Sequence, residues 1–181
     1  MMTLLVRVLL GIVLLCVLAV LVLFAMSRRP NAGRIVSSVE IAAPVDTVWT
    51  WITEPARLTQ WVGWLAEIRR DENSPYGVGA RESWFMNDPN MKKRIELKSV
   101  VTRYEPPRRV DVRVSLDQGF DGDYSYVLEP SGAGTKVTMT GTSKYVGWMI
   151  QLMEPLVTPE AAKKMNHDFG TLKRLVEGGG R

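Results

Sequence analysis

The distribution of apolar positions divides the chain into two unlike parts. From Val8 to Met26 every residue is apolar or small, with no charge. A helix of that length is about 28 Å long, close to the ~30 Å hydrocarbon core of a bilayer. Extending back over Leu4, Leu5 and Val6 lengthens it, and Arg7 sits near enough to the end to snorkel. Ser27, Arg28, Arg29 and Pro30 close the segment. A cleaved signal peptide has a shorter apolar region and a small-x-small cleavage site, and Ala25-Met26-Ser27 is a poor one, so the pattern favours an uncleaved anchor over residues 4–26. Arg28, Arg29 and Arg34 outnumber Arg7 across the span, which leans towards a cytoplasmic C-terminal part.

After a linker at residues 27–34 the period changes repeatedly. Ile35, Val39 and Ile41 share one face of a strand, with Ser37 between them. Pro44 and Asp46 open a helix carrying the stripe Val45, Val48, Trp49 and Ile52. A second short helix from Ala56 to about Val62 follows Pro55. Strands are then expected at Leu65 to Arg70, Arg81 to Met86, Lys93 to Tyr104, Val110 to Leu116, Asp123 to Glu129 and Thr135 to Ser143, joined by turns such as Asp88-Pro89-Asn90 and Ser131-Gly132-Ala133-Gly134. Val110, Val112, Val114 and Leu116 alternate strictly with polar residues. Met165, Phe169, Leu172 and Val176 fall within about 60° on a helical wheel and predict a terminal helix with one buried stripe. Pro155 and Pro159 are expected to break or kink what precedes it. The order implies an α+β fold in which a curved antiparallel meander is covered by the terminal helix, with a cavity between them. Residues 35–177 are read as this domain and 178–181 as a flexible tail.

Composition sharpens this division. The chain is 46% hydrophobic over 181 residues, but that average blends the span with a domain whose apolar content is low for a packed globule, which suits a thin shell around a cavity. The net charge is +4, and the basic residues lie in dispersed groups (Arg69-Arg70, Lys92-Lys93-Arg94, Arg108-Arg109, Lys163-Lys164) interleaved with acids, unlike the concentrated stripe of a nucleic-acid binder. Cys16, inside the apolar run, is the single cysteine, so no disulfide forms within the chain.

Ala43-Pro44-Val45-Asp46-Thr47-Val48-Trp49, then Pro55 and Gln60-Trp61, then the meander and terminal helix, resembles the START-like or SRPBCC superfamily, with its polyketide cyclase/dehydrase-like branch nearest in appearance. The resemblance covers about Ile35 to Glu177. It implies a helix-grip fold with a hydrophobic cavity for lipids, polyketides, hormones or other apolar molecules. The anchor is not part of that pattern.

Candidate chemistry is sparse. One histidine and one intramembrane cysteine leave only carboxylates for a metal, and Asp117, Asp121 and Asp123 lack the glutamate that a calcium loop needs; no metal or cofactor is expected. His167 falls on the polar side of the terminal helix, away from its stripe. No nucleophile elbow or phosphate loop occurs. The aromatic residues remain: Trp49 and Trp61 read as core, whereas Trp84, Tyr104, Tyr124 and Tyr126 are candidates to line a cavity. Trp148, Met149, Ile150, Leu152, Met153, Leu156 and Val157 are too apolar for a surface loop. They form either a first helical turn packed over the sheet or an apolar lip in contact with lipid. The expected ligand-contacting set is therefore Trp84, Tyr104, Tyr124, Tyr126, Trp148, Met149 and Met153. The leading expectation is a membrane-anchored binder of a hydrophobic small molecule or lipid. The alternatives are a cyclase-type enzyme using Arg81, Glu82, Tyr104 or Tyr126, and a tethered interaction module with a collapsed cavity.

Overall fold

A computed structural model describes residues 2–71, 75–86, 94–116 and 119–179. The turn at Asp88-Pro89-Asn90, the Lys92-Lys93 pair and Asp117 lie outside the described residues. The elements run α1 (Met2–Ser27), β1 (Arg34–Ile41), α2 (Val45–Thr53), α3 (Pro55–Trp61), β2 (Leu65–Arg70), β3 (Arg81–Met86), β4 (Ile95–Glu105), β5 (Arg109–Leu116), β6 (Phe120–Ser131), β7 (Gly134–Tyr145) and α4 (Trp148–Gly178). The seven strands form one antiparallel sheet in the order β1-β7-β6-β5-β4-β3-β2.

Alternation sets the two faces of the sheet. Ile35, Ser37 and Ile41 on β1, Leu97 and Val101 on β4, Val110, Val112 and Val114 on β5, and Val137 and Met139 on β7 are all buried. Their neighbours in sequence mostly face solvent. A Val or Leu side chain fully buried this way contributes about 1.5–3 kcal/mol. Onto this face α2 lays Val48, Trp49 and Ile52, α3 lays Leu58 and Trp61, and α4 lays Phe169, Leu172 and Val176. The Trp61 and Phe169 rings meet at 5.9 Å.

Pro155 and Pro159 do not break the helix, contrary to one of the two expectations for them: α4 runs through both for 31 residues. An interior proline costs about 3 kcal/mol, and packing offsets that cost here. Glu154, Pro155 and Thr158 are all buried, and the Glu154 carboxylate is held by several donors.

Three carboxylates pin α4 along its length, each by accepting a backbone N–H from another element. Gly33 donates to Glu154 at 2.7 Å, Gly63 to Asp168 at 3.3 Å, and Ala42 to Glu177 at 2.8 Å. The helix therefore runs beside β1 in the same direction: Glu154 to Glu177 spans about 35 Å of helix, and Gly33 to Ala42 about 30 Å of strand. Residues before Glu154 project past the start of β1, towards α1. The end of α1 touches α4. Leu23 and Ser27 are the half-buried positions among the described α1 side chains, and the rest are exposed. Leu4–Ser27 is long and apolar enough to cross a membrane.

Candidate functional site

The inner face of the sheet is filled with aromatic rings. Register places Val112 beside Tyr124 and Val110 beside Tyr126. Because the valines face inward, so do both tyrosines. The Tyr124 ring lies in a notch made by two glycines, where a Cβ on Gly122 or Gly141 would collide with it. Its hydroxyl is 3.1 Å from the Ser143 hydroxyl. Tyr126 is more deeply placed, and burial pushes its phenol well above the ordinary value, so it stays protonated.

On β3, Glu82 and Trp84 face the same interior, and the Trp84 indole N–H donates to the Glu82 carboxylate at 2.8 Å. Arg70 donates to the other Glu82 oxygen at 2.7 Å and to the Thr53 carbonyl at 2.8 Å. The Arg70 guanidinium also sits 3.7 Å from the centroid of the Tyr76 ring. Tyr76 in turn meets Tyr104 edge-on at 5.2 Å, and Tyr104 meets Trp49 at 5.7 Å. Glu82 thus has both oxygens committed to holding this aromatic wall in place. Arg81, the other polar candidate on β3, is exposed and alternates to the outer face.

Between these rings and the helices is a pocket lined by Trp64, Tyr76, Trp84, Tyr126, Met165 and neighbouring aliphatic residues, with a volume of about 30 Å³. That holds roughly one water molecule, against about 300–1,000 Å³ for a typical ligand site. The cavity expected between sheet and helix is therefore nearly closed, with large aromatic side chains on its wall. A larger depression of about 520 Å³ borders Arg69, Arg81, Ser83 and Lys98. It is an open feature along β2, β3 and β4, edged with charge, and its lining also includes Arg70, Glu82 and Ser99.

The seven candidates therefore divide. Trp84 and Tyr126 line the pocket. Tyr104 supports it through Tyr76, and Tyr124 lies further along the same inner face. Trp148, Met149 and Met153 are elsewhere, on an exposed face of α4. His167 is exposed, as its wheel position indicated.

Sequence reasoning missed Asp168. It is 3% exposed, beside Phe169 in the buried stripe, and its second carboxylate oxygen has no hydrogen-bond partner. Burial pushes its pKa up, while the Gly63 N–H, Lys164 and His167 pull it back. Ser37 and Ser99, also turned inward, carry hydroxyls without partners. An acid one position before a core phenylalanine in a helical stripe was the available signal, since that position borders the buried arc. Trp64 and Tyr76 were also missed as pocket residues, because both sit on turns where no period assigns a face.

Residues 32–177 match the family described as polyketide cyclase/dehydrase and lipid transport. Solved structures share the architecture. A protein from Chromobacterium violaceum superposes with a TM-score of 0.64 at 16% identity, covering 82% of this chain and 99% of its own. A Rhodobacter sphaeroides protein gives 0.65 at 21% identity, covering 83% and 97%. A Thermus thermophilus protein gives 0.65 at 16% identity, covering 82% and 99%. At such identities these neighbours show the fold alone. No curated protein matches. The antiparallel sheet gripping a long terminal helix, together with a family match over almost the whole region following α1, shows that the chain belongs to the polyketide cyclase/dehydrase and lipid transport family.

Proposed function

We propose that this chain is a membrane-anchored binding protein for a hydrophobic small molecule or lipid, held between the sheet and α4. The observation that carries the reading is the pocket inside the grip, whose lining is aromatic and aliphatic with Tyr126 as an inward hydroxyl group. Its volume of about 30 Å³ means that a ligand enters only if side chains move aside. Trp64 is suited to this, because it stands on the turn before β2 and not on the sheet itself. Met165 adds an unbranched, adaptable wall from α4. The apolar α1 supports placement of this site beside a bilayer.

The closed pocket also favours a second reading, a tethered interaction module that carries no ligand. Native mass spectrometry of the full chain purified from its own membranes, with extraction and identification of lipids, separates the two. A co-purifying apolar molecule lost from a Tyr126→Trp variant supports binding in the grip. A chain free of ligand, which also fails to enhance the fluorescence of anilinonaphthalene sulfonate, supports the module.

A further inference from the structure

The first turns of α4 are built the wrong way round for a helix of a water-soluble domain. Leu156, Met149, Met153, Val157 and Ile150 fall on one arc of about 120°, and every one is exposed, as is Trp148 just before them at 74%. The opposite side buries Glu154, Pro155 and Thr158, and Glu154 bonds to the linker through Gly33 and Arg29. Glu154 accepts from Gly33 N–H at 2.7 Å, from the Thr158 hydroxyl at 2.8 Å and from Arg29 at 3.2 Å. These bonds fix the rotation of the helix, so the apolar arc is held outward.

We infer that residues 148–157 form an interfacial helix that rests in the bilayer surface beside the span, with its apolar arc among the acyl chains. This rests on the reading of α1 as a membrane anchor. The occupant follows from continuity. The α1 side chain half-covered next to Ser27 is Leu23, about 6 Å or one turn from the end of the helix. The start of α4 therefore lies at the level where the apolar run stops. An interfacial helix sinks about 5–10 Å into the boundary between headgroups and acyl chains, which matches that level. Trp148 is of the type enriched there. Arg28 and Arg34, both exposed on the flanking segments, supply charge for anionic headgroups. A protein partner would need no such match in level with the span.

The test uses the full chain in nanodiscs of phosphatidylcholine and phosphatidylglycerol, in a Cys16→Ser background. A single nitroxide is placed in turn through Val13→Cys, Met149→Cys, Met153→Cys and Lys163→Cys. Accessibility to oxygen and to a water-soluble nickel chelate is read by power saturation. The expected result is an oxygen-to-nickel ratio at 149 and 153 several-fold above that at 163, with 13 deeper still. If 13 is deep but 149 and 153 match 163, the interfacial helix is wrong and the anchor stands. If 149 and 153 are shielded from both reagents, a protein partner covers the arc and the inference is overturned. If 13 is itself open to nickel, the anchor reading fails and takes this one with it.

Discussion

The two halves of α4 share one backbone and one sheet, yet they handle apolar side chains in opposite ways. From Met165 onward the apolar stripe is turned inward, and Phe169 and Leu172 are essentially inaccessible. Before Pro159 the apolar arc is turned outward, and a carboxylate and a hydroxyl are buried beside Pro155. Each half also contains a buried acid. Glu154 receives a backbone N–H, a hydroxyl and a guanidinium; Asp168 receives one N–H and leaves an oxygen unpaired. A helix can therefore be set by apolar packing at one end and by polar bonds at the other, and the side left exposed at the polar end reports on a different surrounding.

The comparison is broken most directly at Phe169. Phe169→Ala removes a ring packed on Trp61 and leaves a cavity, with an expected loss of about 3–5 kcal/mol. Denaturant unfolding followed by far-UV circular dichroism measures it, and a loss within the range of surface changes would show that this half is not the core. Glu154→Ala comes next. It leaves the Gly33 N–H buried without an acceptor, at about 1–3 kcal/mol, and releases the start of α4. Arg29 is 38% exposed, so solvent screens its share of the interaction. Amide exchange should rise at residues 148–158 and stay unchanged at 165–176; equal acceleration in both halves would mean that Glu154 does not set the polar end separately.

Asp168 sharpens the contrast between the acids through pH. Its folded pKa is raised, so in the window above the ordinary aspartate value the folded chain holds a proton that the unfolded chain has released. Stability contributed this way is present at low pH and falls as pH rises through the window. Asp168→Asn mimics the protonated side chain and removes that fall. The difference in urea midpoint between wild type and variant should therefore grow in the variant's favour from about pH 4 upward. A difference independent of pH would mean that the acid is not perturbed as its burial requires.

Legibility in the sequence followed the same physical division. Val110 to Leu116 and Ile35 to Ile41 were readable because one-sided burial writes a period of two, and the Met165–Val176 stripe because it writes one of 3.6. The family resemblance rested on Ala43-Pro44 through Trp49, where a helix opened by Pro44 follows a strand. What could not be read was whatever depends on contact across the chain. The bond from Gly33 to Glu154 joins residues 121 apart in sequence and leaves no periodic trace. The inward turn of Tyr124 needs glycines on two strands, and only the register shows that Gly122 and Gly141 flank one ring. The pocket volume depends on the rotamers of Trp64, Tyr76 and Trp84, and composition carries no information on those.

The smallest effect is the sharpest comparison. Met153 is as apolar as Leu172 and lies on the same helix, but it is 44% exposed. In detergent, Met153→Ser should change the unfolding free energy by under about 0.5 kcal/mol, as a surface substitution does, because the side chain contributes little to the sheet core in the folded state. The same truncation at Leu172 costs several times more. Denaturant titrations of the two variants under identical conditions compare them directly. A loss at Met153 approaching that at Leu172 would place it in a packed core, and the outward arc would then be a folding element of the domain. A near-zero loss means that the exposed apolar side chain at 153 adds nothing to the stability of the domain, as expected if its arc faces a surrounding outside the domain.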